Sequence, residues 1–187
     1  MAIISNYLRN KGKLAKDTLV ATVMSNLGLH KYARDNGLEL AQTQVGDRYV
    51  LEEMLKEGYN LGGEQSGHVI LLDYNPTGDG ILTSLMLIQA ILEANKTASQ
   101  MAEIIKLYPQ VLVNAKVNAD KKYDYNKDTE IQEAIEKLEK EFAGNGRVLI
   151  RPSGTEPLVR VMIEGEDQEY ITKKAKEIAD LIEKKLK

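Results

Sequence analysis

Two apolar runs late in the chain are separated by a single short segment, and this spacing constrains the fold there. Arg147–Ile150 and Leu158–Ile163 are rich in aliphatic and β-branched residues, which is typical of strands. The segment between them, Arg151–Pro157, is too short for the crossover that parallel strands need, so the two strands must be antiparallel. A third strand, Gln110–Val117, precedes them, and helical patterns follow the first and last strands. This order predicts a small α+β domain.

The two helices of this part have recognisable start signals. Thr129 and Gln132 have the T-x-x-Q spacing of a capping box, and Asp167 is placed to cap the last helix. Helical spacing predicts that one face of each helix is buried. The predicted buried residues are Ile131, Ala134, Ile135, Leu138 and Phe142 in the first helix and Tyr170, Ile171, Ala175, Ile178 and Ile182 in the last.

Strands and helices alternate in the chain before Pro109. The predicted strands are Thr18–Val23, Leu38–Gln44, Asn60–Gly63 and His68–Asp73. The helices are predicted to begin at caps on Ser25, Asp47, Asp79 and Thr97. The helix Ile81–Glu93 is apolar on most sides, so it should be largely buried. We place a domain boundary near Tyr108-Pro109, which gives an α/β domain of residues 1–108 and an α+β domain of residues 109–187.

Composition excludes several classes of function. The net charge of −3 gives no basic excess for a nucleic-acid backbone, and the chain has no cysteine for disulfides or thiolate sites. No apolar run approaches the ~20 residues that span a bilayer, and the first residues lack a signal-peptide cleavage site. We therefore expect a cytoplasmic protein that binds neither nucleic acid nor membrane.

The segment Arg151–Pro157, RPSGTEP, has the residues of a phosphate-binding loop. Arg151 presents a planar fork of donors, Ser153 and Thr155 add hydroxyl groups, and Gly154 lets an anion approach the backbone. Arg160, on the return strand, could supply a second cation. The alternative is a hairpin turn with solvated arginines. Two flanking prolines and two nearby arginines favour a site for the phosphate group of a small molecule.

A second polar loop, GGEQSGH, lies at Gly62–His68. Its carboxylate (Glu64), hydroxyl (Ser66) and imidazole (His68) are donors and acceptors that suit the hydroxyl groups of a sugar, although a polar β-turn is the alternative. His68 is also a candidate for assisting proton transfer. Arg48, in VGDRYV, lies at a helix start, where anions bind readily. An exposed arginine without a ligand is an equal alternative there.

These motifs, with TVMSNLG (Thr22–Gly28) and TGDG (Thr77–Gly80), resemble the α-D-phosphohexomutase family over nearly the whole chain. GEQSGH and VGDRYV resemble the branch that acts on glucosamine phosphates. The resemblance implies a mixed-sheet α/β/α third domain and a TATA-binding-protein-like α+β fourth domain. It also implies that Glu64 and Ser66 bind sugar hydroxyls, whereas Arg151, Ser153, Gly154 and Thr155 bind the phosphate that is not transferred.

The family's phosphoserine loop and its D-G-D-x-D-R magnesium loop are not found in this sequence. The resemblance therefore implies that Mg²⁺ and the phosphoserine belong to N-terminal domains missing from this chain, which contributes no metal ligand. The implied partner is a phosphorylated hexosamine, and the implied reaction interconverts its 6- and 1-phosphates for amino-sugar synthesis. We expect the chain alone to be inactive. The alternatives are a glucose or mannose phosphate mutase and a free-standing phosphosugar-binding module.

Overall fold

The computed structural model describes residues 1–187, which form two compact units, Met1–Leu107 and Tyr108–Lys187. Each unit has its own sheet, helices and hydrophobic core. None of the helices combines the length and the apolar character that crossing a membrane requires.

The first unit contains five helices and four strands. Its first strand is buried at every position because it lies inside the sheet and its side chains pack into two apolar clusters. The elements in chain order are α1 (Ala2–Asn10), β1 (Thr18–Thr22), α2 (Leu27–Asp35), β2 (Glu39–Thr43), α3 (Asp47–Glu57), β3 (Leu61–Gly63), β4 (Val69–Leu71), α4 (Gly80–Ala94) and α5 (Ala98–Ala102).

The sheet of this unit is mixed, as the resemblance implied. The strand order is β2-β1-β3-β4, in which β1 pairs in parallel with both neighbours and β3 pairs antiparallel with β4. The antiparallel pair places the loop of residues 64–68 at one end of the β3–β4 hairpin. Gly62 lies within this pair, where there is no room for a side chain: an added Cβ would be 2.6 Å from Met54 Sδ and 2.7 Å from Val50 Cγ1.

The expectation that helix α4 would be largely buried is wrong. Only Met86 and Ala90 are buried in it, although most of its residues are apolar. One face of the helix covers β4 and packs against α1. The opposite face is exposed, so apolar composition alone did not report burial here. The exposed side chains are Ile81, Leu85, Ile88 and Leu92.

Two of the predicted helix caps in this unit also differ by one residue. Asn26, rather than Ser25, caps α2 by accepting a hydrogen bond from the Gly28 N–H. Gly46 occupies the N-cap position of α3, and Asp47 is the first helical residue. The predicted caps at Asp79 and Thr97 are confirmed, including the Thr97–Gln100 capping box.

The second unit is an α+β domain, as the strand order predicted. Its elements are β5 (Gln110–Lys116), α6 (Thr129–Phe142), β6 (Arg147–Pro152), β7 (Leu158–Glu164) and α7 (Gln168–Leu186). The sheet order is β5-β7-β6, with both pairs antiparallel. Both helices contribute to its core, through Ile131 and Leu138 of α6 and one face of α7. The overall fold class, α/β followed by a small α+β domain, is confirmed.

The start of α6 corrects the predicted capping box. Asp128 caps the helix by accepting from the Ile131 N–H, and the Gln132 side chain instead donates to the Tyr125 carbonyl. Asp167 caps α7 as predicted. The predicted inward faces are confirmed at Ile131, Leu138 and the aliphatic residues of α7. The other four predicted residues, Ala134, Ile135, Phe142 and Tyr170, are only partly buried, and Phe142 and Tyr170 meet edge to face.

Candidate functional site

The loop between β6 and β7 brings two arginines opposite each other. Arg151 near the end of β6 is the direct cross-strand partner of Arg160 on β7. Like charges at directly opposed strand positions repel and destabilise a sheet. An anion bound beside them would relieve that repulsion, so this pairing favours a negatively charged ligand.

The guanidinium of Arg151 has no hydrogen bond and no ion pair to any protein group. Partial burial, and then the charge of Arg160, lower the pKa of Arg151 from its ordinary value. An arginine remains charged in proteins in any case. A partly buried cation without a protein partner has its donors available for an anionic ligand.

Arg160 is only partly neutralised. Its Nη2 lies 3.5 Å from a carboxylate oxygen of Glu156, within the same loop. Its Nε is buried and has no hydrogen-bond partner. A buried donor that lacks an acceptor is costly, and a bound oxyanion is one group that could satisfy it.

The remaining predicted residues of this loop divide into two kinds. Ser153 is 1% exposed, its N–H donates to the Leu158 carbonyl, and its hydroxyl oxygen accepts from the Glu156 N–H. Ser153 therefore shapes the turn. Gly154 and Thr155 are exposed, and their N–H groups donate to no protein acceptor. A Cβ added at Gly154 would meet open space, so the chain itself does not demand glycine there.

A segment that no sequence motif marked supports this loop. The Tyr125 hydroxyl donates to the Ile150 carbonyl at 3.2 Å, and the Val117 N–H donates to the Pro157 carbonyl at 3.1 Å. Lys122 Nζ donates to the carbonyls of Ser153 at 3.0 Å and Gly154 at 3.4 Å. The run KKYDYN, with two lysines beside two tyrosines between a strand and a helix, was the only available signal.

The polar loop of the first unit is organised by Glu64. Its carboxylate accepts from the Gly46 N–H at 2.9 Å, which ties the loop to the start of α3. Its backbone N–H donates to the His68 carbonyl, and Gly67 completes the turn with a φ of +101° that favours glycine. The second carboxylate oxygen of Glu64 has no protein donor, so it could accept from a sugar hydroxyl.

Ser66 and His68 are both exposed on this loop. The His68 ring lies against Gly78 of the TGDG turn, where an added Cβ would be 2.5 Å from His68 Cδ2. Neither side chain has a hydrogen bond within the protein. The structure therefore brings Glu64, Ser66 and His68 together on one loop, and it leaves one carboxylate oxygen of Glu64 and the side-chain polar groups of Ser66 and His68 without a protein partner.

Arg48 stands apart from the other predicted site residues. Its side chain is 80% exposed, and its Nε donates to Glu52 one helical turn further along α3 at 2.7 Å. This pair raises the pKa of Arg48. Arg48 lies two residues after Gly46, the residue that Glu64 contacts, but no contact joins the Arg48 side chain to the loop.

The chain's own residues do not form a metal site. No three histidine or acidic side chains cluster in a way that could hold an ion. Magnesium, which the resemblance implies, would therefore need ligands that this chain does not supply.

Comparison with protein families gives matches over most of the chain. The family described as phosphoglucomutase/phosphomannomutase, alpha/beta/alpha domain III, matches residues 1–108. The family described as phosphoglucomutase/phosphomannomutase, C-terminal domain, matches residues 112–181.

Several curated proteins are similar along the full length of this chain. Phosphoglucosamine mutase of Ruminiclostridium cellulolyticum is 57% identical over 186 residues, which covers 100% of this chain and 41% of that protein. Phosphoglucosamine mutase of Caldicellulosiruptor bescii is 59% identical, with the same coverage of 100% and 41%. The chain thus spans about two fifths of the length of these relatives.

Solved structures share the fold at low sequence identity. N-acetylglucosamine-phosphate mutase in its substrate complex has a TM-score of 0.76 and 21% identity, over 97% of this chain and 42% of that one. Aspergillus fumigatus N-acetylphosphoglucosamine mutase, in complex with GlcNAc-6P and magnesium, has a TM-score of 0.71 and 18% identity, over 98% and 42%. At these identities the likeness supports the fold alone.

Proposed function

The chain belongs to the phosphoglucomutase/phosphomannomutase family, and we propose that it is the substrate-recognition portion of a phosphoglucosamine mutase. The full-length enzyme would interconvert glucosamine 6-phosphate and glucosamine 1-phosphate. A phosphoserine gives its phosphoryl group to the free hydroxyl of the sugar phosphate, which forms a bisphosphate. After the bisphosphate reorients in the site, its other phosphoryl group is transferred back to the serine. The proposal keeps the cytoplasmic location expected from the sequence.

The observation that carries this proposal is the Arg151–Arg160 pair. A guanidinium without any protein partner lies opposite a second one whose Nε is buried and unsatisfied. Phosphate oxygens accept from such forks in a bidentate manner, and the pair would hold the phosphate that is not being transferred. Ser153 shapes the loop, while Gly154 and Thr155 add backbone donors.

The loop of the first unit would recognise the sugar itself. Glu64 is held by the Gly46 N–H and keeps one carboxylate oxygen for a hydroxyl group. Ser66 and His68 add exposed polar groups beside it. We assign His68 a second role, assistance of proton transfer at the reacting hydroxyl. Arg48 is the weakest member of the set because Glu52 already pairs with it.

This chain performs recognition and not the transfer. Its residues offer no metal site, so Mg²⁺ would be held by the part of the enzyme that this chain does not match. The ion, when bound there, would stabilise charge on the transferring phosphoryl group. Glucose or mannose phosphate mutases of the same family, and a free-standing binding module, are the competing functions. The phosphoglucosamine mutases at 57–59% identity support the glucosamine substrate over these.

Two turnover measurements test the proposal. The chain alone should show no conversion of glucosamine 6-phosphate above blank in a coupled assay. A chimera that joins this chain to the unmatched part of the Ruminiclostridium cellulolyticum enzyme should convert glucosamine 6-phosphate, and it should prefer it to glucose or mannose 6-phosphate. A folded chimera that turns over only the glucose or mannose compounds would assign the chain to another branch. Turnover by the chain alone would contradict the division of roles.

A further inference from the structure

Lys122 contacts the phosphate-binding loop, and none of the sequence motifs includes it. It follows β5 in the run KKYDYN and reaches the loop between β6 and β7. Its ammonium donates to two successive backbone carbonyls, those of Ser153 and Gly154. Its Nζ also lies 5.3 Å from the centre of the Tyr123 ring. No carboxylate is paired with Lys122, so its charge is used on the loop backbone.

The geometry of the peptide bond gives these two contacts a consequence. All peptide bonds here are trans, and in a trans peptide the C=O and the following N–H point in opposite directions. A lysine that holds the Ser153 carbonyl therefore turns the Gly154 N–H away from itself. The same ammonium on the Gly154 carbonyl turns the Thr155 N–H the same way. Both residues are exposed, and their N–H groups donate to no protein acceptor.

We propose that Lys122 is a positioning residue for the phosphate site, which aims the Gly154 and Thr155 N–H groups at one phosphate oxygen. The inference rests on the proposed phosphate-binding function and adds the device that prepares the backbone for it. Successive N–H groups that converge form an anion-binding concavity. Carbonyl oxygens of a loop repel a phosphate, so directing them to an ammonium on the far side removes that repulsion and presents the donors.

Two other contacts from the same segment also hold the loop. The Tyr125 hydroxyl donates to the Ile150 carbonyl on β6, just before the loop, and the Val117 N–H donates to the carbonyl of Pro157, the last residue of the loop. Lys122 acts between them, on the residues at the tip. A preorganised loop loses less conformational entropy on binding than one that must be ordered by the ligand. Lys122 therefore contributes without touching the phosphate itself.

The test uses this chain labelled with ¹⁵N and titrated with glucosamine 6-phosphate and, separately, inorganic phosphate. In the wild type, the Gly154 and Thr155 amide resonances should show the largest shifts. Lys122→Met should weaken binding about tenfold and reduce both shifts, and Lys122→Arg should restore most of them because a guanidinium can donate to the same carbonyls. Lys121→Met is the matched control, since it removes an equal charge from a lysine that bonds to Lys187 instead.

Each outcome decides the inference. If Lys122→Met and Lys121→Met weaken binding equally, Lys122 supplies only general charge, and the positioning role is wrong while the proposed function stands. If the wild type binds but Gly154 and Thr155 do not shift, the positioning role is also wrong, and this result holds even if Lys122→Met fails to fold. If the wild type shows no binding of either probe at this loop, the proposed function fails, and the inference fails with it.

Discussion

The two polar loops connect antiparallel strands in different units, and they are held in place by different means. Apart from the bond between Glu64 and the Gly46 N–H, the loop of residues 64–68 depends on close packing where side chains are absent. A Cβ at Gly63 would be 2.4 Å from the His68 carbonyl oxygen, and one at Gly78 would reach the His68 ring. The loop of residues 151–157 has no such crowding at Gly154 and is instead held by polar side chains from a neighbouring segment.

This difference suits the groups that we propose each loop to bind. Sugar hydroxyls are neutral and must be recognised by the placement of a few donors and acceptors, which close backbone packing fixes. A phosphate is recognised mainly by charge and by converging donors, so arginines and a lysine-braced backbone suffice. The first loop should therefore be sensitive to added volume and the second to removed charge.

The largest effect should come from the ion pair between Arg147 and Glu164, which lies at the end of the β6–β7 hairpin away from its loop. Glu164 is fully buried, and Arg147 donates to one of its oxygens at 2.7 and 2.9 Å. Arg147→Met should destabilise this unit by about 3–5 kcal/mol because it leaves a buried carboxylate without this cation. Hydrogen exchange across β7, measured by mass spectrometry, reports the loss. Arg34→Met, which removes an exposed partner of Asp35, is the control and should cost under about 1 kcal/mol. Equal effects would mean that charge is no more important to the second unit than to the first.

Removal of charge at the loop itself should act on binding. Arg151→Ala should weaken binding of glucosamine 6-phosphate to this chain by about 10- to 100-fold, since bonds to charged groups contribute about 1.5–3 kcal/mol. Stability should not fall, because the Arg151 side chain has no hydrogen bond or ion pair to lose and its removal relieves the repulsion with Arg160. Calorimetry or NMR titration measures the affinity. Arg48→Ala should change affinity less than threefold, because Arg48 is paired with Glu52. The same affinity for Arg151→Ala and wild type would rule out this loop as the phosphate clamp.

Added volume should break the first loop instead. Gly63→Ala places a methyl group against the His68 carbonyl and the Val69 Cα, which are backbone atoms that cannot move aside. Strain of this kind costs about 1–3 kcal/mol, and hydrogen exchange across β3 and β4 should accelerate accordingly. Gly80→Ala, at a helix position with open space around it, is the control and should be neutral or slightly stabilising. If the Gly63 variant is as stable as wild type, the loop is not held by close packing.

The sequence predicted local features well where a single residue type decides them. The β6–β7 pairing followed from the shortness of the loop, and the Asp79 and Asp167 caps followed from side-chain chemistry. The prediction that helix α4 is largely buried was wrong, because composition indicates apolar character and not which neighbours cover the helix. The predicted capping residue of α6 was wrong because Asp128 and Thr129 are both good N-cap residues, and only the backbone conformation decides between them.

For the candidate sites, the sequence again indicated residues that are neighbours in the chain and gave no sign of contacts between distant residues. Glu64, Ser66 and His68 were assigned together because they are neighbours in sequence, and so were most residues of RPSGTEP. The cross-strand pairing of Arg151 with Arg160 needed the register of the sheet. The contacts of Lys122 join residues 31 and 32 positions apart in the chain. Such a contact depends on tertiary packing, and a single sequence carries no periodic signal for it.

The smallest change with a readable outcome is Gly154→Ala, which separates the fold from the ligand. Open space surrounds the added methyl group and Gly154 does not have a positive φ, so stability should stay within about 0.5 kcal/mol of wild type. Affinity for glucosamine 6-phosphate should nevertheless fall several-fold, because the methyl group hinders the approach of a phosphate to the backbone N–H groups. Titration beside urea unfolding measures both quantities. Unchanged affinity would mean that phosphate binds through the arginines without approaching the loop backbone. A large loss of stability would place Gly154 with Gly63, as a glycine that the chain itself requires.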